Sequence, residues 1–389
     1  MKKEVNSTRM PVYRDSGFEL FDAATMAKAF NEEKANEREP EFYIYSRFRN
    51  PTVIAAEGAI MKLENSEWAL LTQSGMSAVD TALSIFQNGK HNRPWLLFTE
   101  IYGGTISFAE SVLKKRRGLE VLTFAPVNER YDLKTFESAV KTLRPEIVYF
   151  ETISNPLLIV PDAKEIIKIS RKYGAITIVD NTFATPLLWK PLSDGADIVI
   201  HSATKYLSGH GNITAGVVCG NDREIMKAAV EYRKYVGHLI SPDDAYRLNT
   251  QLYTLDVRFK RQCINASRIA RILKDSKHIN RVCYPGSEDH PSYEEAVKLF
   301  GNKGFGGMLT LDFAGEKDSL KRKRRDTFIK NVSEKIKVVP SLGDPHSIMM
   351  PVEAVWGSKY PEPGMIRLSI GYEDTDDLAE FISGALEKI

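Results

Sequence analysis

The heptapeptide His201-Ser202-Ala203-Thr204-Lys205-Tyr206-Leu207 sets a lysine beside two hydroxyls, and upstream of it the apolar run Ile176-Thr177-Ile178-Val179 ends on Asp180. A lysine amine can condense with an aldehyde, hydroxyls can bind a phosphate, and a carboxylate can keep a pyridine nitrogen protonated so that its ring accepts electrons. These are the requirements of a pyridoxal 5'-phosphate site. Each part alone has a plainer reading, because an acid after a strand often caps a helix or binds a metal, and Lys205 could be surface charge. Together they come from two strand ends, where open α/β sheets bind ligands. The following Ser208-Gly209-His210-Gly211-Asn212 carries glycines that let backbone approach a ligand closely.

Three further groups fit the same chemistry. Thr72-Gln73-Ser74-Gly75-Met76-Ser77 directly precedes a helical pattern over Ala78–Phe86, so the free amides of Gly75 and Met76 can bind an anion at a helix start. Tyr102-Gly103-Gly104-Thr105 follows the strand-like Trp95–Phe98. This tyrosine is either a core aromatic in a turn or a ring lying over the cofactor, where its phenol can pass a proton to a leaving group. Arg367 stands inside the apolar Met365-Ile366-Arg367-Leu368-Ser369. A buried arginine needs an anion, either a structural carboxylate or the α-carboxylate of an amino-acid substrate held by two hydrogen bonds.

Such side chains need strands that end together. Between residues 56 and 249, Trp95–Phe98, Val121–Phe124, Ile147–Phe150, Ile176–Val179, Ile198–Ile200 and Ala215–Cys219 read as strands separated by amphipathic stretches. The stretch from Pro161 to Gly174 reads as a helix, with proline at the start, Ile166, Ile167 and Ile169 for a buried side, and glycine as a left-handed stop. The alternation predicts an α/β fold with a mostly parallel central sheet covered by helices on both faces. Residues 250–389 differ: a long helix through Phe259–Leu273, an alternating strand at Gly307–Phe313 and a terminal helix at Thr375–Lys388 predict a smaller α+β domain. Residues 1–55 are polar apart from a helix expected at Ala23–Lys34, so this arm is expected to pack on the rest of the molecule or on a second subunit.

At 389 residues the chain can bury more than one core. Its net charge of +2 supplies no broad basic field, which argues against nucleic-acid partners. The start of the chain lacks an apolar signal core and no run reaches membrane-span length, so a cytoplasmic protein without a membrane partner is expected. Its three cysteines, Cys219, Cys263 and Cys283, form no Cys-x-x-Cys pair or zinc cluster and read as buried thiols, with no metal site expected.

These residues resemble the Cys/Met-metabolism pyridoxal-phosphate family, which includes cystathionine γ-synthase, cystathionine γ-lyase, methionine γ-lyase and O-acetylhomoserine sulfhydrylase. The likeness extends from Tyr45-Ser46-Arg47 and Asn50-Pro51-Thr52 through Ser74-Gly75-Met76, Tyr102–Thr105, Asn155-Pro156, Val179–Pro186 and the Lys205 segment to Ser341-Leu342-Gly343 and Arg367-Leu368-Ser369. It implies a fold-type I transferase fold and a homotetramer built as a dimer of dimers. It further implies that Tyr45 and Arg47 reach the cofactor phosphate of the neighbouring subunit. Asn155 would contact the cofactor's phenolic oxygen and the substrate carboxylate, and Ser341 and Arg367 would complete the carboxylate site.

Within the family the resemblance leaves several reactions open. Ile44 stands where cystathionine-handling members commonly carry a glutamate, and Ile106-Ser107 where they often carry an arginine, which favours a side chain without distal charge. The run Lys205–Gly216 and Gly343-Asp344 look most like methionine γ-lyase, although Gly104 replaces that enzyme's cysteine. His346, Gln251 and Ala354-Val355-Trp356 also depart from the family pattern, and Arg49 or His346 could contribute specificity. The expectation is γ-elimination from a sulfur amino acid such as methionine or homocysteine, with Lys205 and Tyr102 as the catalytic pair. The rival expectations are γ-replacement on an acylated homoserine and cystathionine γ-lysis.

Overall fold

The seven strands of the larger sheet are Trp68–Thr72 (β1), Trp95–Phe98 (β2), Val121–Phe124 (β3), Ile147–Glu151 (β4), Ile176–Asp180 (β5), Ile198–His201 (β6) and Gly216–Gly220 (β7). The computed structural model describes residues 7–87, 93–360 and 362–389. The strands lie in the order β1-β7-β6-β5-β4-β2-β3, and β7 alone runs against its neighbours. The expected α/β fold is therefore observed, and that one reversal matters to the site. Because β7 is antiparallel, its first residue Gly216 pairs with the last residue of β1, Thr72, and Val217 pairs with His201 at the end of β6. The chain from 202 to 215 is thus a loop confined to the edge where β1, β5 and β6 finish.

Apolar strands explain this sheet, since β1, β2, β4, β6 and β7 are buried at every residue and strands covered on both faces read as continuous hydrophobic runs. The helix expected from Pro161 begins later, at Ala163, because Asp162 accepts the Glu165 amide as its cap; it runs to Lys172, and Gly174 then takes the expected positive φ of 71°. The arm helix spans Ala23–Glu33, capped by Asp22.

A second sheet holds Ile279–Cys283 (β8), Met308–Phe313 (β9), Lys337–Val338 (β10), Ile348–Pro351 (β11) and Met365–Ser369 (β12), in the order β10-β11-β12-β9-β8. Period-two alternation divides β12. Ile366 and Leu368 enter a core with Phe313, Phe328 and Ile382, whereas Arg367 pairs across the strands with Met350 and Thr310. The Thr310 hydroxyl donates to the Pro156 carbonyl at 2.6 Å, so this face of the small sheet packs on the segment that follows β4.

One helix, Leu255–Lys274, ties the two cores together. Leu255, Phe259 and Cys263 sit in the core of the large sheet, and Ala266, Ile269, Ala270 and Leu273 in that of the small one. Cys219, Cys263 and Cys283 are all free and buried, and burial raises each thiol. Among the described residues, no helix is long and apolar enough to cross a membrane and no metal-binding cluster of His, Cys, Asp and Glu occurs.

The arm docks through buried charge. Lys234 lies 3.2 Å from Glu33 across the junction, Arg49 lies 3.8 Å from Glu33 within the arm, and Glu57, just past the arm, lies 2.5 Å from Arg233. Arg49 is 3% exposed and donates to the carbonyls of Glu37, Arg38 and Phe48. The expectation that it could meet substrate is corrected: its donors are used in holding the arm.

Candidate active site

The ends of β1, β2, β4, β5 and β6 surround a cavity of about 360 Å³, closed from the other side by β11, β12 and their loops. Gly75, Met76, Tyr102, Asn155, Asp180, Ser202, Thr204, Lys205, Ser341 and Arg367 all line it. Tyr45 and Arg47 do not. Tyr45 is exposed, and Arg47 donates to the Lys234 carbonyl at 3.0 Å and lies over the Tyr45 and Phe48 rings.

The anion cradle follows from Ser74. Its hydroxyl accepts the Ser77 amide at 3.1 Å as the cap of the helix Gly75–Ser84, which leaves the amides of Gly75 and Met76 without intrahelical partners. Close packing forces glycine at two places. A Cβ on Gly75 would stand 2.8 Å from the Ser202 Cβ, and one on Gly216 only 2.1 Å from the Ser74 carbonyl oxygen. The Thr204 hydroxyl bridges the amide and carbonyl of Ala215 at 2.9 and 3.1 Å, closing the neck of the lysine loop. The space between helix start and loop is small, polar and rich in donors.

Lys205 is held on a stiff base. Tyr206 beside it is buried edge-on against Phe259 with ring centroids 4.9 Å apart, and Arg258 donates to the carbonyls of Tyr206, Leu207 and Gln251. Gln251, noted in the sequence as a departure, contributes its carbonyl to that clamp and its side-chain amide to Asn212 at 3.0 Å. The Lys205 amine donates to the Ser341 hydroxyl at 3.0 Å. Burial, then the Arg367 charge, draws its affinity for a proton below the usual lysine range against a weaker opposing pull from Asp344.

Two acids enter the cavity with different surroundings. Asp180 receives the Thr182 amide at 3.0 Å, the Thr182 hydroxyl at 2.5 Å and the Tyr149 hydroxyl at 3.4 Å. Burial raises its carboxyl, and these hydrogen bonds with the nearby His201 pull it back toward the ionised form. Glu151 accepts the Tyr102 amide at 2.5 Å. Burial and then the Asp180 charge push it well above the carboxylate range, so of the two acids it is the one more strongly biased toward its protonated form. Sequence reading missed Glu151 and Thr182. Both carried a signal: Ile147–Glu151 ends on an acid as Ile176–Asp180 does, and Asp180-Asn181-Thr182 places a hydroxyl within reach of the acid.

Arg367 is 4% exposed and donates to Asn155 Oδ1 at 3.1 Å and to the Ser341 carbonyl at 2.8 Å. Its Nε is buried without a partner. A buried guanidinium with a spare donor suits a carboxylate, and burial lowers its pKa to about 10. His346 lines a different groove with Glu373 and Asp374, so the expectation that it could select substrate is also corrected.

The Cys/Met metabolism PLP-dependent enzyme model matches residues 1–387. The chain belongs to that family. It is an enzyme, and its cofactor is pyridoxal phosphate. It is 37% identical over 360 residues to the cystathionine beta-lyase of Lactococcus lactis subsp. cremoris (strain MG1363), covering 90% of each chain. It is 33% identical over 405 residues to the L-methionine gamma-lyase of Fusobacterium nucleatum subsp. polymorphum, covering 100% of this chain and 96% of that one. Among solved structures, the cystathionine gamma synthase from Xanthomonas oryzae pv. oryzae in complex with aminoacrylate and cysteine superposes with a TM-score of 0.84 at 28% identity, over 97% of this chain and 92% of that one. Family membership thus fixes sulfur amino-acid metabolism as the field of action, with relatives named for different reactions.

The cavity fits the cofactor on its own terms. The helix start and the Ser202 hydroxyl offer donors where Gly75 removes a Cβ, Asp180 lies deep in the cavity as an acceptor, and Lys205 offers an amine with a lowered proton affinity.

Proposed function

We propose that the chain catalyses γ-elimination from an L-amino acid with a short, uncharged sulfur side chain, consuming one water and releasing 2-oxobutanoate, ammonia and the sulfur group, a thiol from methionine or hydrogen sulfide from homocysteine. The observation that carries this reading is the far wall of the cavity. Pro340, Met350 and Val355 bring no polar side chain to it, and Trp356 brings only an indole N–H and a ring face, so it holds no acid or base to form an ion pair with a distal ammonium or carboxylate. A cystathionine-like side chain would find no ion-pair partner for its charges there, which is costly in a desolvated site.

Pyridoxal phosphate, when bound, supplies an electron sink for the substrate's Cα. Ser202 and the amides of Gly75 and Met76 would hold its phosphate, joined by Thr204 once its hydroxyl hydrogen turns from the Ala215 carbonyl, with Asp180 at its ring nitrogen, Asn155 at its phenolic oxygen, and Lys205 at its aldehyde. Arg367, with Asn155 and Ser341, would receive the substrate carboxylate. Lys205 would carry the proton taken from Cα, a task suited to an amine whose proton affinity is lowered. Tyr102, 50% exposed at the mouth, would deliver a proton to the departing sulfur. Tyr45 and Arg47 would come from a second copy in a homotetramer; their position outside this chain's own cavity and the exposure of Phe21, Met26 and Phe30 along the arm support that reading.

The test is release of 2-oxobutanoate by the cofactor-loaded protein, with and without sulfide or cysteine. Release from methionine without a nucleophile is expected. Product formed only from an acylated homoserine together with a nucleophile would move the assignment to γ-replacement.

A further inference from the structure

The segment that follows β11 carries side chains that the proposed chemistry does not use. Glu353 begins it and is paired with Arg322 at 2.6 Å and Arg325 at 2.7 Å, both from the helix Asp318–Val332. At its other end, the Tyr360 hydroxyl donates to Glu100 Oε2 at 2.6 Å. Lys359 lies 3.2 Å from Glu100 Oε1 and donates to the Thr99 carbonyl, also at 3.2 Å. Tyr360 is 5% exposed and Glu100 8%, so this second anchor is out of solvent. Glu100 stands two residues before Tyr102 in the sequence. The segment is therefore tied at one end to the small-sheet part of the molecule and at the other to the loop that carries Tyr102.

Trp356 lies between the anchors. It lines the cavity, and its Nε1 is 3.9 Å from the point a Cβ on Gly103 would occupy, so the indole reaches across from β11 to the Tyr102 loop. Behind it the Tyr360 ring packs at right angles, with centroids 6.0 Å apart and planes at 85°, in a small apolar cluster with Val352, Met365 and Leu157. Gly104 completes the arrangement. A Cβ there would stand 2.3 Å from the Tyr102 ring, so glycine lets that ring fold over its own helix start.

We infer that Trp356 is a specificity-determining residue that closes the distal end of the substrate pocket and limits the leaving group to a small neutral thiol, and that Tyr360 is the positioning residue that holds it through Glu100. The inference rests on the elimination reading above and names what that reading leaves open, the size of the leaving group. A wide aromatic face accepts a thioether sulfur favourably. It carries no charge to pair with the ammonium or carboxylate of a second amino acid attached through sulfur, its bulk occupies the space that group would need, and with both ends of its segment anchored it has little freedom to swing aside.

The experiment compares kcat/KM for methionine, ethionine and cystathionine in the cofactor-loaded wild type, W356A, W356F and Y360F, with cofactor absorbance confirming a folded, loaded site. For W356A, the cystathionine-to-methionine ratio is expected to rise by about ten-fold or more, the scale on which pockets discriminate small apolar groups. W356F, which keeps an aromatic face, should move the ratio by less than W356A. Y360F should move the ratio in the same direction by less, through the KM for methionine more than through kcat, a split that general loosening would not give. An unchanged ratio in a loaded W356A protein overturns the role of Trp356, and an unchanged ratio in Y360F overturns that of Tyr360. A wild type that acts only on acylated homoserine refutes the elimination reading instead, and the Trp356 wall is then judged by the same ratio measured with acyl groups of increasing size.

Discussion

The two ends of the cavity are built differently. At the inner end, Asp180, Lys205 and the Gly75 helix start stand on strand ends of one sheet, set by register: Thr72 faces Gly216 and His201 faces Val217. At the outer end, Met350, Val355 and Trp356 come from β11 and the segment after it, brought in by packing between two sheets. In the proposed reading, the cofactor chemistry rests on strand ends set by backbone register, and selectivity rests on side-chain contacts that a few substitutions can alter. This division is consistent with the relatives, which share the fold and carry names for different reactions.

The sharpest way to break the comparison is at the inner end. K205A should lower turnover of every substrate by roughly 10²–10⁴-fold, the usual contribution of a positioned acid–base group, and should abolish the absorbance of a lysine-bound cofactor. A K205A protein with full turnover would remove Lys205 from the mechanism. Arg367 gives the next largest effect. R367K keeps the charge but loses the fork that reaches both Asn155 and Ser341. One lost charged hydrogen bond, about 1.5–3 kcal/mol, should raise KM by roughly 10- to 150-fold while kcat changes less. Equal loss in kcat and KM for substrates with and without a carboxylate would make Arg367 structural. G75A comes third: the 2.8 Å approach to Ser202 leaves no room for a methyl. At about 1–3 kcal/mol for such overpacking, cofactor affinity should fall by roughly 5- to 150-fold, as read by equilibrium titration. Unchanged affinity would show that the anion site lies elsewhere.

The sequence displayed the inner end well because each part of it is local. Apolar runs marked β2 to β7, Ser74 marked a helix start, and a lysine between hydroxyl-bearing residues marked the loop. What local pattern could not show was direction. Ala215–Cys219 is as apolar as a parallel strand, and only its pairing with Thr72 and His201 makes it antiparallel. The run Trp68–Thr72 went unread because four apolar residues and a threonine between a helix and a turn have no period of their own. Arg49 and His346 were candidates by charge alone. Burial among carbonyls removes the first and distance in the fold the second. Trp356 was visible as an oddity, but its meaning depended on Glu100, which lies far away in sequence.

The smallest expected effect tests the inner end from behind. Glu151 and Asp180 are buried together, and the acid with fewer donors, Glu151, is held above its ordinary range. Unfolding returns Glu151 to an ordinary glutamate value of about 4.3. Between that pH and its raised folded value the native state binds more protons than the unfolded one. Stability from this group is therefore full below about pH 4.3 and is lost as pH rises through the folded value, by at most about 1.4 kcal/mol per pH unit for one proton. E151Q removes the titration and keeps an oxygen to accept the Tyr102 amide. Urea unfolding of both proteins at a series of pH values above 4 should show the wild type falling progressively behind the variant. Parallel stability curves would mean that Glu151 is ionised in the fold, and the task of staying neutral beside Asp180 would have to pass to another group.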